Sequence, residues 1–294
     1  MTAATNYKDL ATLVSLLDDS DHTVVPVVRE RLIDMGPPVI GILRSFSRHC
    51  HDNPKLLHRL EGVIADIQLH RSSDSLLAWC SGRDPDLIQG LCIVFGLIYP
   101  NVPTSSISQS LFEMANEVWM ELNDSQTGVE QLQLFNHIFY HRLGFRVEDP
   151  FLSELKPALL DYAVANRRAN PILFGLIYLA FAFRSGLAIR AVVFPGGFMP
   201  VCVDDQNRVL FYINIYKSGE LFDKEQLRTF LADLGFVIPS KDFVLCDTVT
   251  LVGIYAESLY FVAGNTENKE MERLLEEALT FFGDKRILIM EEDE

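Results

Sequence analysis

The feature that most constrains the fold is residues 170–183, a stretch that contains no charged side chain. If this stretch is helical, every face of the helix is apolar, and such a helix is stable only inside a core or a membrane. A helix of this length extends about 20 Å, which is too short to cross the hydrocarbon layer of a bilayer. Asn170 can cap the helix, and Pro171 suits its first turn. The sequence therefore predicts a buried central helix over 171–184.

Three short segments with the composition of β-strands follow this helix. Residues 188–194, 199–203 and 209–215 are rich in β-branched and aromatic side chains, and turn residues separate them. Consecutive strands joined by short links pair antiparallel. We therefore expect a small antiparallel sheet, in sequence order, packed against the helix.

The chain before the central helix shows helical patterns. Residues 10–17 and 24–35 predict two helices around an acidic turn, and Gly36-Pro37-Pro38 ends the second. A third helix follows, with apolar residues at Val39, Ile40, Leu43 and Phe46. This order of three helices is similar to one HEAT-like repeat, although a generic helical hairpin explains it equally well. Further helices are expected after Asn53-Pro54, Asp84-Pro85 and the capping box Thr127–Glu130, and after the strands over 223–234, 247–262 and 266–282. The overall expectation is an α+β fold with a helical N-terminal region.

Composition limits the partners of the chain. Its formal net charge is −15, and its pI is about 4.9. An acidic surface disfavours nucleic acid and anionic membrane, because binding phosphate requires basic side chains. Residues 1–9 have no basic start followed by an apolar run, so we expect no signal peptide. No apolar run has the length of a membrane span. Five scattered cysteines without a CxxC pair are typical of reduced thiols, so we expect a cytoplasmic protein. We also expect neither a cofactor nor a bound metal.

Five short motifs occur in a recognisable order: Leu134–Phe139, Asn170–Tyr178, Gly186-Leu187, Phe194–Phe198 and Leu210–Tyr216. This series resembles the bacterial SirB-type branch of the transglutaminase-like superfamily, whose members typically read "lNhvlF", "GNPISLxxxY", "PGHF" and "FIDPF". The resemblance covers about residues 127–222. It implies three regions: N-terminal helices over 1–103, a transglutaminase-like core over 104–235 and C-terminal helices over 236–294.

Three positions depart from the pattern that the resemblance implies. Leu173 occupies the position of the nucleophilic hydroxyl or thiol, Gly197 that of the histidine, and Asn214 that of the aspartate. Leucine cannot attack a carbonyl, and glycine cannot carry a proton. We therefore expect a catalytically inactive protein that binds a protein or peptide partner. Residues that could line a remaining cleft are Asn136, His137, Asn170, Gly196, Tyr212 and Asn214.

Two other functions stay open. A hydrolase or acyltransferase could use a relocated nucleophile, in which Cys202 would take His137 or His141 as its base. Alternatively, the chain could be a structural adaptor that acts through its HEAT-like helices.

Several candidate residues also have a purely structural interpretation. We expect His137 to donate a hydrogen bond to the core, Asn170 to act as a helix cap, and Gly196-Gly197 to form a tight turn. His49-Cys50-His51, with His58 nearby, is interpreted as a solvated loop rather than a metal site.

Overall fold

A computed structural model describes residues 7–21, 23–50, 53–123, 125–148, 152–194, 196–233 and 244–283. Helices make up most of these residues. Those described are α1 (Tyr7–Leu17), α2 (Val24–Asp34), α3 (Ile40–His49), α4 (Pro54–Cys80), α5 (Leu87–Ile98), α6 (Thr104–Glu121), α7 (Gly128–His137), α8 (Leu160–Asn166), α9 (Pro171–Arg184), α10 (Lys224–Asp233), α11 (Thr248–Asn265) and α12 (Lys269–Leu279).

Two small sheets accompany the helices. The strands are β1 (Arg146–Val147), β2 (Arg168–Ala169), β3 (Ile189–Phe194), β4 (Gly197–Val203), β5 (Val209–Asn214) and β6 (Glu220–Phe222). β1 and β2 pair in parallel, and β3 to β6 form an antiparallel sheet in sequence order. The predicted α+β class is confirmed.

The helix α9 has the bounds that the sequence predicts, and its ends show why. At the N-terminus, the Asn170 side-chain oxygen accepts the backbone N–H of Leu173 at 2.8 Å. At the C-terminus, Gly186 has φ +74°, and the N–H groups of Gly186 and Leu187 donate to the carbonyls of Phe183 and Ala182. This pair of bonds is a Schellman motif, which requires a left-handed residue after the helix. Both ends of a buried helix are thereby supplied with partners.

One face of α9 packs into a cluster of aromatic rings. Phe139 lies at its centre, and the rings around it at centroid distances of 4.9–5.8 Å belong to Phe145, Phe174, Tyr178 and Phe181. The last three lie on one face of α9 because they are spaced four and three residues apart. Phe139 itself belongs to a π-helical turn, Ile138–Arg142, that continues α7.

No helix in the described part of the chain combines the length and apolarity needed to cross a membrane.

The opposite side of α9 packs on β3 and β4. Gly175 allows this close approach, because a Cβ atom at that position would lie 2.8 Å from the Phe198 ring and 3.0 Å from the Ile215 side chain. A larger residue at Gly175 would push the helix away from the sheet.

The predicted strands pair as expected, with differences at their ends. β4 begins two residues before the predicted strand 199–203, because Gly197 pairs with Phe194 across the hairpin. β5 ends at Asn214, so the prediction that its strand includes Ile215 is wrong. Ile215 instead begins a 3₁₀ turn. The Asn214 side chain accepts hydrogen bonds from two backbone N–H groups of this turn, those of Tyr216 and Lys217. The sequence analysis did not predict β6, which forms directly after this turn.

The helix predictions differ mainly in length and start. The helix after Asn53-Pro54 continues for 27 residues. The next one begins at Leu87 rather than at Asp84-Pro85, because the Asp86 side chain accepts the N–H of Gln89 and caps it. The sequence analysis overlooked α8. The capping boxes at Thr127 and Asp223 are both present.

The chain divides into two compact units, Met1–Ser75 and Leu76–Glu294. The first has its own apolar core, in which α1 to α4 bury Leu10, Leu17, Leu32, Leu43 and Leu60. Both predicted region boundaries, 103/104 and 235/236, fall inside the second unit, where α5 and α11 pack against each other and against α9. The three-region division therefore stays a prediction.

We predict that Leu173→Ala lowers the free energy of unfolding by about 2–4 kcal/mol, the usual cost of emptying a well-packed leucine site. Leu173 has no exposed surface. The control is Leu210→Ala, because Leu210 is 53% exposed and a surface change of this kind costs about 0.5 kcal/mol or less. Urea denaturation of both variants is the measurement, and equal midpoints would contradict the packing described for α9.

Candidate functional site

The position that the resemblance assigns to the nucleophile lies in the first turn of α9. Leu173 is fully buried, and its backbone N–H is bonded to the Asn170 side chain. Helix N-termini favour anions and thiolates, because their N–H groups carry partial positive charge. In α9, the Asn170 side-chain oxygen accepts one of those N–H groups. The side chain at the nucleophile position, Leu173, is aliphatic.

The assigned histidine position, Gly197, lies close to the same end of α9. A Cβ atom built on Gly197 would be 3.7 Å from the Phe194 ring and 4.0 Å from the Ile172 side chain. These are ordinary van der Waals distances, so the backbone itself would accept a side chain at this position. The surroundings are nonetheless apolar on both sides. The neighbouring Gly196 has φ +92°, which supports the predicted turn, and Pro195 lies outside the described residues.

The assigned acid position, Asn214, ends β5 and is 1% exposed. Its side-chain oxygen accepts the backbone N–H groups of Tyr216 at 3.0 Å and Lys217 at 3.3 Å. These bonds cap the 3₁₀ turn before β6, a local role that Asn performs readily. The oxygen that could orient a histidine is thus already engaged by the backbone.

Sheet register places two of these positions, Gly197 and Asn214, on one face and at the same end of the neighbouring strands β4 and β5. Tyr212 pairs with Val201, so alternation places Gly197 and Asn214 on the face that carries Val201 and Tyr212. That face forms an apolar cluster with Leu227 and Leu231 of α10. The helix α9 contacts the opposite face, through Phe198 and Ile215. Gly197 begins β4, where a Cβ atom would lie 4.0 Å from Ile172 of α9, and Asn214 ends the neighbouring strand β5.

The predicted cleft residues Asn136 and Asn214 meet at the turn between β5 and β6. The Tyr178 hydroxyl donates to the Asn136 side-chain oxygen at 2.7 Å, and the Asn136 amide makes a long contact of 3.5 Å with the Gly219 carbonyl. Gly219 in turn donates its N–H to the Asn214 carbonyl at 3.0 Å. A second bond, from the Tyr140 hydroxyl to the Ile215 carbonyl at 2.8 Å, fixes the same turn. These polar groups join α7 and α9 to the sheet.

Two cleft predictions are corrected. His137 is exposed at the end of α7, where its ring lies 5.3 Å from that of His141, so the predicted hydrogen bond to the core is wrong. Tyr212 is buried in the cluster between the sheet and α10 rather than in a cleft beside Leu173.

Asn170 acts as the predicted helix cap and does more. Its backbone N–H donates to the Pro157 carbonyl at 2.7 Å, next to the short parallel pair of β1 and β2. Its side-chain amide nitrogen, like that of Asn214, is buried without a hydrogen-bond partner in the described part of the chain.

Four of the five cysteines are poor nucleophiles as they stand. Burial raises the pKa of Cys202 to about 11. Burial and a nearby carboxylate, Asp86 or Asp247, raise the pKa of Cys92 and of Cys246 to about 12. Burial also raises the pKa of Cys80. Because the thiolate is the reactive form, these shifts lower reactivity at neutral pH.

The histidine-rich segment near Cys50 is partly helical, so its interpretation as a loop is wrong at its start. His49 is the last residue of α3, and its ring nitrogen contacts the Ser45 carbonyl at 2.7 Å. His51 lies outside the described residues. Within the described ranges, no group of three His, Cys, Asp or Glu side chains could hold a metal ion.

A cavity of about 760 Å³ lies at the other end of α9, about 20 Å from its first turn. Its lining comes from the end of α9, the loop before α5 and the segment that leads into α11, and none of the six predicted cleft residues takes part. The sequence does not predict it, because Arg83 lies about 100 residues before Arg184 and Arg190 and the three arginines form no motif. The sequence analysis also overlooked Tyr178 as a polar partner, although the motif Asn170–Tyr178 ends on that residue.

We predict that Gly219→Ala destabilises the fold more than Gly186→Ala does. Both glycines have positive φ, +82° and +74°, so each substitution carries the backbone strain of about 1 kcal/mol. A Cβ at Gly219 would also overlap the Asn136 amide, whereas at Gly186 nothing lies within 4 Å. The excess for Gly219→Ala should be about 1 kcal/mol or more, since the Tyr178 hydrogen bond is lost. Thermal unfolding measures both, and equal losses would argue against the polar junction.

Comparison with known proteins bears directly on these positions. A search of curated proteins found no match. Residues 105–250 match the family described as Transglutaminase-like superfamily. The matched segment runs from α6 to the start of α11 and includes Leu173, Gly197 and Asn214. The chain therefore contains a domain of the transglutaminase-like superfamily at residues 105–250.

Proposed function

We propose that this transglutaminase-like domain is a catalytically inactive member of the SirB-type branch, which binds a protein or peptide partner in the cytoplasm. The proposal rests on the identity and the burial of Leu173. A fully buried aliphatic side chain occupies the place where the resemblance expects a nucleophile. No proton transfer can start from it.

The other two assigned positions support the same conclusion. Gly197 offers no group that could accept a proton, and the Asn214 oxygen is engaged by two backbone N–H groups. In enzymes where such residues were removed, the loss of one member already abolished most of the activity, because nucleophile and base act as a unit.

The alternative is an enzyme with a relocated nucleophile, for which Cys202 is the strongest candidate. This residue lies on β4, and its raised pKa keeps it protonated at neutral pH. The two histidines considered as its base, His137 and His141, are exposed and contact each other. Both observations favour the binding function over this alternative. The adaptor function of the N-terminal helices stays a third proposal, because the HEAT-like resemblance rests on the sequence of a single repeat.

We expect that none of the five cysteines reacts with iodoacetamide faster than free cysteine at neutral pH. The reason is the raised pKa of Cys80, Cys92, Cys202 and Cys246, which leaves little thiolate. Mass-spectrometric mapping of each alkylated site over time gives the five rates.

The control is the same labelling in concentrated urea, where unfolding exposes every thiol and the rates should approach that of free cysteine. A single cysteine that reacts far faster in the native protein, and whose alkylation blocks turnover of an amide or ester, would replace the proposal with the relocated-nucleophile enzyme.

A further inference from the structure

The cavity at the C-terminal end of α9 has an unusual charge environment for this chain. The sequence has 40 acidic and 25 basic side chains, not counting histidine. Three arginines nevertheless line this single cavity: Arg83, Arg184 and Arg190. All three are exposed. In a chain with so many carboxylates, the arginines of a concave surface would ordinarily be paired with them.

These arginines are not paired with any carboxylate among the residues that the structure describes. Within the described ranges, none of the three forms a salt bridge, whereas Arg29, Arg142 and Arg208 elsewhere do. The Arg190 guanidinium donates to the carbonyl of the adjacent Ile189 at 2.8 Å.

The position of Arg184 is fixed by stacking rather than by charge. Its guanidinium carbon lies 4.3 Å from the centroid of the Phe112 ring. Such stacking holds the planar group while leaving its N–H donors available at the edges. A guanidinium held in this way loses less conformational entropy when it binds an oxyanion.

The carboxylates of the cavity are mostly engaged. Asp86 accepts the N–H of Gln89 at 2.9 Å, and Asp247 accepts the N–H of Thr250 at 2.8 Å, so both serve as helix caps. Asp84 is the remaining lining carboxylate, and it is exposed. The three guanidiniums therefore supply the charged hydrogen-bond donors of the cavity, and capping orients two of its three carboxylates towards the backbone without removing their charge.

We infer that this cavity binds a carboxylate-rich peptide segment, with the three guanidiniums receiving its Asp or Glu side chains. This inference rests on the proposed binding function and assigns the site and the class of its partner. Guanidinium forks match carboxylates bidentately. The exposed position of all three arginines suits an extended chain lying across the cavity better than a small molecule, which pockets usually enclose. The net charge of −15 does not prevent binding, because salt screens it beyond about 8 Å in physiological buffer.

The test is fluorescence anisotropy with a labelled synthetic peptide rich in glutamate, against the same peptide with glutamine in place of glutamate. The full-length protein should bind the first saturably, and more weakly as salt rises, and should not bind the second. The double variant Arg83→Gln/Arg190→Gln should weaken binding by about tenfold or more, because two charge-assisted bonds are lost. Asp84→Asn should strengthen it, since a repelling carboxylate is removed.

The matched control is Arg273→Gln, which makes the same charge change at an exposed position of α12 outside the cavity. It should change the affinity by no more than about twofold, because exposed charges are strongly screened. Arg83 and Arg190 are exposed, so the variants should keep the melting temperature of the wild type, and melting curves check this.

Three results would overturn the inference. The first is that the glutamate peptide shows no saturable binding at low salt. The second is that the double variant and Arg273→Gln change the peptide affinity equally. The third is that citrate competes with the peptide and binds as tightly as the peptide does. The last would show that the site takes small anions. Failure of this test is distinguishable from failure of the inactive-enzyme proposal, which depends on thiol reactivity and turnover instead.

Discussion

Burial of α9 from Ile172 to Ala182 requires that backbone polar groups in its buried turns find partners within the protein, since water cannot replace them there. An unpaired buried N–H or carbonyl costs about 1–3 kcal/mol. Asn170 meets this requirement at the first turn, and the Schellman motif at Gly186 meets it at the last. Between these ends the helix can be wholly apolar, which allows rings from α7 and strands of the sheet to pack on opposite faces.

The same requirement accounts for the surroundings of two of the three predicted triad positions, Leu173 and Asn214. A catalytic nucleophile needs free helix N–H groups and access to substrate, whereas the first turn of α9 is capped and closed around Leu173. Asn214 uses its oxygen to cap the turn that leads to β6. Groups that would be needed for chemistry contribute here to stability instead.

Local signals made part of the fold predictable. The Asn-Pro cap, the uninterrupted apolar run and the glycine after Arg184 define α9 within a single segment, so its bounds agree with the structure. Short links fixed the order of β3, β4 and β5. In contrast, β1 and β2 each contain two residues from segments about 20 positions apart, and such short strands have no periodicity to detect. The π-helical turn after His137 likewise has no signature at the usual helical spacing.

The site was less predictable, because sites depend on which distant residues the fold brings together. Motif positions identified Leu173, Gly197 and Asn214, yet only the sheet register shows that the last two lie on the face turned towards α10. The arginines of the cavity come from three separate segments and carry no motif. Their common location follows from α9, whose end carries Arg184 and whose packing brings the loop before α5 and the start of β3 to the same place.

We expect the first turn of α9 to be a packing site rather than a masked active site. The most direct measurement is the pH dependence of alkylation at position 173 in the double variant Leu173→Cys/Gly197→His. The account predicts a rate that rises only above the ordinary thiol pKa of about 8.5, because burial opposes a thiolate and an imidazolium alike. A rate that is already high and constant below pH 7 would reveal a thiolate–imidazolium pair and would contradict the account.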